Sequence, residues 1–156
     1  MKVFVKRENW DGGIWIKLPA SEEQAEHVLE ELAGYHPSRM IPFIGDVKAP
    51  VAGLARLLIG EFVFQDSNLG QLNYLAAKIG SWSEQERAVF ETVLQNEKPD
   101  SLLRIVEAMD HLDQYECHPE IKSLEQYGHY LFEREGRTLP VELTGYFDYE
   151  AYGRLN

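Results

Sequence analysis

At 156 residues, with a formal net charge of −11 and a pI near 4.9, the chain is strongly acidic. This charge argues against direct binding to DNA, RNA or anionic lipid, because each requires Lys and Arg to neutralise phosphate. A hydrophobic fraction of 44% is enough for a folded core, and the single cysteine, Cys117, excludes an internal disulfide and a thiolate zinc cluster.

The first predicted unit spans residues 1–64 and is of mixed α/β type. Two alternating apolar runs before Pro19 predict two strands, and Asp11-Gly12-Gly13 between them predicts a hairpin turn. Ser21-Glu22-Glu23-Gln24 is a capping box that begins a helix. Residues Ile41–Asp46 are a candidate third strand against the hairpin.

The second predicted unit, residues 65–112, is helical. One helix opens near Asn68, a capping box at Ser83-Glu84-Gln85-Glu86 begins the next, and Pro99-Asp100-Ser101 begins a third. Apolar side chains recur at helical spacing in all three, so we expect the acidic side chains to point outward.

The third predicted unit, residues 113–156, is again of mixed α/β type. Tyr115–His118 is a candidate short strand, Ser123–Glu135 a helix, and Tyr146–Tyr149 a final strand. The whole pattern predicts an α+β protein of three small units, none of them large enough to hold a deep pocket.

Negative charge is concentrated in the second half of the chain. Residues 1–78 carry ten acidic and eight basic side chains, whereas residues 79–156 carry sixteen and seven. Like charge at this density opposes compaction, which indicates a surface for a partner that binds negative charge. Four acids of this half form a series at every third position: Glu107, Asp110, Asp113 and Glu116.

The segment Asp110–His118 is the one cluster that resembles a metal or catalytic site. His111 and His118 lie near carboxylates, but these ligand types do not recur on one face, and HExxH is absent. Walker A, GxGxxG, hydrolase and kinase motifs are also missing. We therefore expect no catalysis, no metal and no cofactor. A metal-dependent enzyme built on the two histidines is an alternative that elemental analysis would test.

Three tryptophans, Trp10, Trp15 and Trp82, are of a type that can stack on nucleic-acid bases. Such stacking sites are surrounded by Lys and Arg. We expect no basic surroundings here, so the sequence favours packing in the core.

The start of the chain, Met1–Arg7, has no apolar run typical of a signal peptide. No apolar stretch approaches the length of a membrane span. These features predict a cytoplasmic protein without membrane contact.

Three segments resemble the ArdA-type antirestriction proteins of conjugative plasmids and transposons. Gly12–Pro19 is similar to the Gly-x-Trp-x-x-Leu-Pro opening of that family, and Leu72–Ala76 is similar to its Leu-Asn-x-Leu-Ala helix. The most specific match begins at Leu139-Pro140 and ends in Tyr146–Arg154, which resembles the terminal signature Tyr-(Ile/Phe)-Asp-Tyr-Glu-x-Tyr-Gly-Arg.

The resemblance implies an elongated, curved protein that forms a head-to-head homodimer and has no enzymatic activity. Its carboxylates would imitate the phosphates of bent B-DNA and occupy the DNA-binding groove of a Type I restriction–modification enzyme. The candidate phosphate mimics are acids of the second half of the chain: Glu91, Glu97, Asp100, Glu107, Asp110, Asp113, Glu116, Glu120, Glu125, Glu133 and Glu135.

Two questions stay open at the level of sequence. The nearly neutral first unit either shares in the mimicry or does not, and the acidic surface could instead serve a mobile-element module with a partner unrelated to restriction. For the aromatic residues Tyr146, Tyr149 and Tyr152, packing between strand and helix is favoured over a dimer interface.

Overall fold

The computed structural model describes residues 1–34, 41–115 and 120–155. The chain divides into two compact units, Met1–Tyr115 and Glu116–Asn156. Helices together with an antiparallel sheet confirm the predicted α+β class. The division into three units stays a prediction. Within the described ranges, no helix is long and apolar enough to cross a membrane.

The first unit begins with a three-stranded antiparallel sheet. Its strands are β1 (Lys2–Lys6), β2 (Gly13–Lys17) and β3 (Phe43–Lys48), in the order β2-β1-β3. The predicted hairpin and third strand are thus confirmed. Because side chains alternate between the faces of a strand, Val3 and Val5 point into the core, whereas Lys2, Phe4 and Lys6 lie on the outer face.

Among the described residues of this unit, five helices follow the hairpin. They are α1 (Glu22–Ala33), α2 (Leu54–Leu58), α3 (Asn68–Ser81), α4 (Glu84–Glu97) and α5 (Leu102–Asp110), with a 3-10 turn at Leu112–Gln114. Both predicted capping boxes are present: Ser21 exchanges hydrogen bonds with Gln24, and Ser83 exchanges them with Glu86.

One apolar core connects the sheet with the helices of the first unit. It contains Val3 and Ile44 of the sheet, Leu32 of α1, Phe90 of α4 and Ile105 of α5. Since α1 buries Val28 and Leu32 in this core, the helix covers the inner face of the sheet and not the outer face.

The second unit consists of α6 (Leu124–Arg134), a 3-10 turn at Val141–Leu143, and α7 (Tyr149–Leu155). The predicted helix is confirmed by α6, whose first turn is capped by Ser123. The predicted strand Tyr115–His118 lies largely outside the described residues.

The predicted final strand, Tyr146–Tyr149, is wrong, because the chain enters α7 at Tyr149. The carboxylate of Asp148 accepts a hydrogen bond from the backbone N–H of Ala151 at 2.9 Å. Its backbone carbonyl accepts another from Tyr152 at 3.1 Å. Asp148 is therefore a helix N-cap, and this local bonding outweighs the β-propensity of its aromatic neighbours.

Two glycines allow α6 and α7 to touch through their backbones. A Cβ at Gly128 would collide with the carbonyl of Tyr149, and one at Gly153 would lie 2.9 Å from the backbone nitrogen of Gly128. Around this crossing, Phe132 contacts Phe147, Tyr149 and Tyr152, with ring centroids 4.9, 5.7 and 5.8 Å away. Tyr149 and Tyr152 thus pack as predicted, whereas Tyr146 is 87% exposed.

Candidate partner-binding surfaces

A groove of about 470 Å³ brings together Glu97, Asp100 and Glu107, three of the predicted phosphate mimics. The C-terminal end of α4 supplies Glu97, and Lys98 turns the chain there with a left-handed φ of 47°. Arg104 also lines the groove, and its Nη1 pairs with Oε2 of Glu107 at 2.9 Å. The negative charge of Glu107 is therefore partly balanced within the protein.

A second groove, of about 390 Å³, contains Asp110 and Asp113. The hydroxyl of Tyr74 donates a hydrogen bond to Oδ1 of Asp110 at 2.7 Å, and this bond raises the pKa of Tyr74. Glu86, which the sequence analysis did not select, also lines the groove, although its carboxylate caps α4 by accepting from the N–H of Ser83.

The acidic series at every third position does not form one helical face. Because α5 ends at Asp110 and a 3-10 turn follows, Glu107 lies in the first groove, whereas Asp110 and Asp113 lie in the second. Glu116, the last member, lies outside the described residues. Tyr115 lines both grooves, so the five acids occupy adjoining surface.

The remaining candidates lie outside both grooves. Glu91 is half-buried, and its carboxylate accepts a hydrogen bond from the backbone N–H of Ala52 at 2.8 Å. In the second unit, Glu135 pairs with Nε of Arg137 at 2.7 Å and accepts a hydrogen bond from the hydroxyl of Tyr152, which raises the pKa of that tyrosine. The other three described candidates of this unit are exposed: Glu120, Glu125 and Glu133.

Helix α1 carries an acidic face whose side chains are not among the phosphate mimics predicted from the sequence. Its exposed acids are Glu22, Glu23, Glu26, Glu30 and Glu31, of which Glu31 pairs with His27 at 2.8 Å. The spacing of Glu22, Glu26 and Glu30 places them along one side of a helix, and this was the available signal. A rise of about 1.5 Å per residue spreads the five carboxylates over about 14 Å. This density is close to the one charge per about 3.4 Å of a single DNA strand.

On the other side of the sheet from α1, the outer face carries basic and aromatic side chains. Lys2 on β1 is the direct neighbour of Lys17 on β2 and of Lys48 on β3. Residues 1–78 are therefore nearly neutral in total, although their acidic and basic side chains are separated onto different faces.

The expectation that all three tryptophans pack in the core is wrong for two of them. Trp10 and Trp15 are 39% and 38% exposed, with Arg7 and Lys48 lying over their respective rings. Trp82 packs against the core and contacts the ring of Phe90. The register of the paired strands brings Lys48 to Trp15. The sequence alone does not indicate this register.

Metal binding has no support from the described side chains. Within residues 1–34, 41–115 and 120–155, no group of three or more His, Cys, Asp or Glu side chains is arranged to hold a metal ion. His111 is exposed and lines the first groove, and His118 lies outside the described residues.

Comparison with known proteins gives one family. The family model described as Antirestriction protein (ArdA) matches residues 11–155, which include both acidic grooves and all helices of both units. No curated protein matches the chain.

Proposed function

We propose, because the chain belongs to the ArdA family of antirestriction proteins, that it acts as a non-enzymatic mimic of DNA. Its target is the DNA-binding groove of a Type I restriction–modification enzyme. Acids on its surface take the positions of DNA phosphates and bind Lys and Arg of that groove. Occupation of the groove excludes DNA, so cleavage stops without any chemical step on the inhibitor.

The observation that carries this proposal is the adjoining position of five acids in the two grooves. Glu97, Asp100, Asp110 and Asp113 are exposed, and Glu107 is half-buried. Charge-assisted hydrogen bonds to Lys or Arg require such accessible carboxylates. Because Glu107 and Glu135 already pair with arginines of the protein, we rank both below the four exposed acids of the grooves as contacts.

The acidic face of α1 extends the proposal to the N-terminal part of the chain. It presents five carboxylates at a density close to that of one DNA strand. We include Glu22, Glu23, Glu26 and Glu30 among the phosphate mimics, whereas the basic outer face of the sheet takes no part in the mimicry.

A homodimer is part of the same proposal, and the second unit supports it. This unit has about forty residues, a size at which folded domains commonly need an additional source of stability. It nevertheless leaves Val141 and Leu155 each 85% exposed and Tyr146 87% exposed. Apolar and aromatic side chains of this kind are typical of the centre of a protein–protein interface.

The test replaces the four exposed groove acids together: Glu97→Gln, Asp100→Asn, Asp110→Asn and Asp113→Asn. We expect this variant to inhibit DNA cleavage by a purified Type I enzyme at least about tenfold less well than the unaltered protein, since charge-assisted contacts contribute additively when they are well separated. Single replacements should have small effects. Binding of the unaltered protein should weaken steeply as salt is raised.

A matched control removes four acids elsewhere in the first unit: Glu8→Gln, Asp11→Asn, Glu61→Gln and Asp66→Asn. It changes the net charge by the same amount but leaves both grooves intact. Equal loss of inhibition in the two variants would show that only total charge matters and would contradict the mimic. If the unaltered protein failed to protect unmodified phage from restriction in cells, the partner would be a protein unrelated to restriction.

A further inference from the structure

The outer face of the sheet combines cations with aromatic rings in an otherwise acidic protein. Lys17, Lys2 and Lys48 form one row across the three strands, and Trp15 and Phe4 are direct neighbours in a second row. The rings of Phe4 and Trp15 are 5.2 Å apart and tilted by 42°. The central strand and one edge strand thus present a pair of adjacent aromatic rings.

Glycines in the sheet and its hairpin turn let three neighbouring side chains approach the backbone closely. A Cβ at Gly13 would lie 2.6 Å from Cζ of Phe4, and one at Gly45 would collide with the aliphatic stem of Lys6. In the hairpin turn, a Cβ at Gly12 would lie 2.8 Å from the indole of Trp10. Since these positions lack side chains, the phenyl ring, the lysine stem and the indole lie close to the backbone; glycines in strands are typical of places where a ligand or another backbone approaches closely.

The lysine row is unfavourable for the isolated protein. Like charges directly opposite each other on neighbouring strands destabilise a sheet. Within the described part of the chain, none of Lys2, Lys17 and Lys48 has an ion-pair partner within 4.0 Å. The ammonium of Lys48 lies instead over the ring of Trp15, 4.4 Å from its centroid. An anionic ligand would remove this repulsion.

We propose that the outer face of the sheet binds a short single-stranded nucleic acid. Its bases stack on Trp15 and Phe4, and its phosphates bind the ammonium groups of Lys2, Lys17 and Lys48. Stacking of a base on Trp15 displaces Lys48 from the ring and frees its ammonium for a phosphate. Sheets with exposed aromatic side chains bind two or three bases of single strands in this way.

The aromatic pair is the reason to favour a nucleic acid over an acidic peptide. The protein as a whole carries −11 and repels any polyanion, and Asp46 lies on the face itself opposite Phe4, with Glu8 and Asp11 in the hairpin turn. Charge alone therefore gives weak attraction. Base stacking is independent of charge, and removal of the aromatic side chain by alanine substitution lowers affinity about 5- to 150-fold per base. Net charge predicts that the chain binds no nucleic acid. That prediction averages the charge over the whole surface, whereas the fold places acidic and basic side chains on different faces.

The experiment measures binding of fluorescein-labelled oligothymidylate and oligouridylate by fluorescence anisotropy. At about 0.15 M salt, screening beyond about 8 Å reduces repulsion from acids on other faces. We expect binding to both oligonucleotides or to one of them, with quenching of the fluorescence of Trp15. Trp15→Ala should weaken it at least about fivefold, as should the triple variant Lys2→Gln, Lys17→Gln, Lys48→Gln.

Two controls separate this face from general effects. Lys78→Gln removes an exposed cation that lies over the ring of Tyr74, outside the sheet, and should leave binding unchanged. Circular dichroism of each variant checks that the sheet is retained. The proposal is overturned if the unaltered protein does not bind the oligonucleotides, or if Trp15→Ala binds them as well as the unaltered protein does. It is also overturned if polyglutamate binds equally well to the unaltered protein and to Trp15→Ala, which would identify an acidic protein as the ligand.

Discussion

Among single residues, Tyr74 and Asp110 show how a surface acid can be held in place. The tyrosine hydroxyl donates to the carboxylate at 2.7 Å, and both groups are exposed. The bond fixes one oxygen of Asp110 and leaves the other oxygen for a partner. Pairing of this kind orients the carboxylate of a proposed phosphate mimic without neutralising its charge.

This contact predicts that the hydroxyl of Tyr74 loses its proton at a higher pH than an ordinary tyrosine. Its pKa is raised by the hydrogen bond to Asp110 and by the nearby negative charge. Since the folded pKa lies above the unfolded value of about 10, the stabilisation is present at neutral pH and is lost as pH rises through the raised pKa. In an absorbance titration at alkaline pH, Tyr74→Phe should show one fewer tyrosine that ionises at raised pH than the unaltered protein shows.

Replacement of the acceptor provides the control for this titration. In Asp110→Asn the tyrosine keeps a polar neighbour but loses the negative charge, so its pKa should fall toward the ordinary tyrosine value. If Asp110→Asn left the alkaline end of the curve unchanged, or if the tyrosine missing from Tyr74→Phe were one of ordinary pKa, the hydroxyl would not bind this carboxylate in solution.

At the level of elements, the crossing of α6 and α7 depends on the absence of side chains. Gly128→Ala would force a methyl group into the carbonyl of Tyr149, and this contact is with backbone rather than with a mobile side chain. We expect a loss of about 3 kcal/mol or more in the free energy of unfolding of the second unit. Denaturant unfolding followed by the near-ultraviolet circular dichroism of its aromatic side chains measures this.

A matched glycine in the first unit has the opposite expectation. Gly80 lies within α3, and a Cβ there would meet no atom within 4 Å. Gly80→Ala should therefore stabilise the protein by up to about 1 kcal/mol through helix propensity. Similar stability of Gly128→Ala and Gly80→Ala would argue against a backbone contact between α6 and α7.

Elements with local signals could be predicted from sequence, and those governed by distant contacts could not. Asp11-Gly12-Gly13 and the two capping boxes act within a few residues, so the hairpin and the starts of α1 and α4 were identified correctly. Tyr146–Tyr149 has the composition of a strand, but Phe147 and Tyr149 pack on Phe132 and Asp148 caps a helix.

The same distinction applies to the candidate site. Outward orientation of Asp110 follows from helical periodicity, and the structure exposes it, whereas Asp100 is exposed in the segment before α5. The hydrogen bond between Glu91 and Ala52 joins residues 39 positions apart, so no local pattern indicates it. The acids of α1 are absent from the predicted phosphate mimics because residues 1–78 are nearly neutral in total, since basic side chains such as the lysines of the sheet offset them.

For the whole molecule, the proposed dimer makes a direct prediction. Val141→Ser together with Tyr146→Ser removes two of the exposed apolar side chains of the second unit, neither of which is buried in the monomer. The variant should sediment as a monomer at concentrations where the unaltered protein is a dimer, because apolar burial drives such association. Analytical ultracentrifugation measures the difference.

Ile59→Ser is the control, since Ile59 is an exposed apolar side chain of the first unit. It should leave the sedimentation of the protein unchanged. A dimer that persists in the double variant would move the interface away from these side chains, and a monomeric unaltered protein would remove the homodimer from the proposed function.

The opposition between an acidic helix and a basic sheet gives the N-terminal layer an electric dipole. Near a positively charged cleft, such a dipole experiences a torque that turns α1 forward while the two proteins are still separated by solvent. The lysines of the sheet would then help to orient the approaching inhibitor although they face away from the enzyme. Fewer encounters would begin with the wrong side, so capture of the target would be faster than net charge alone allows.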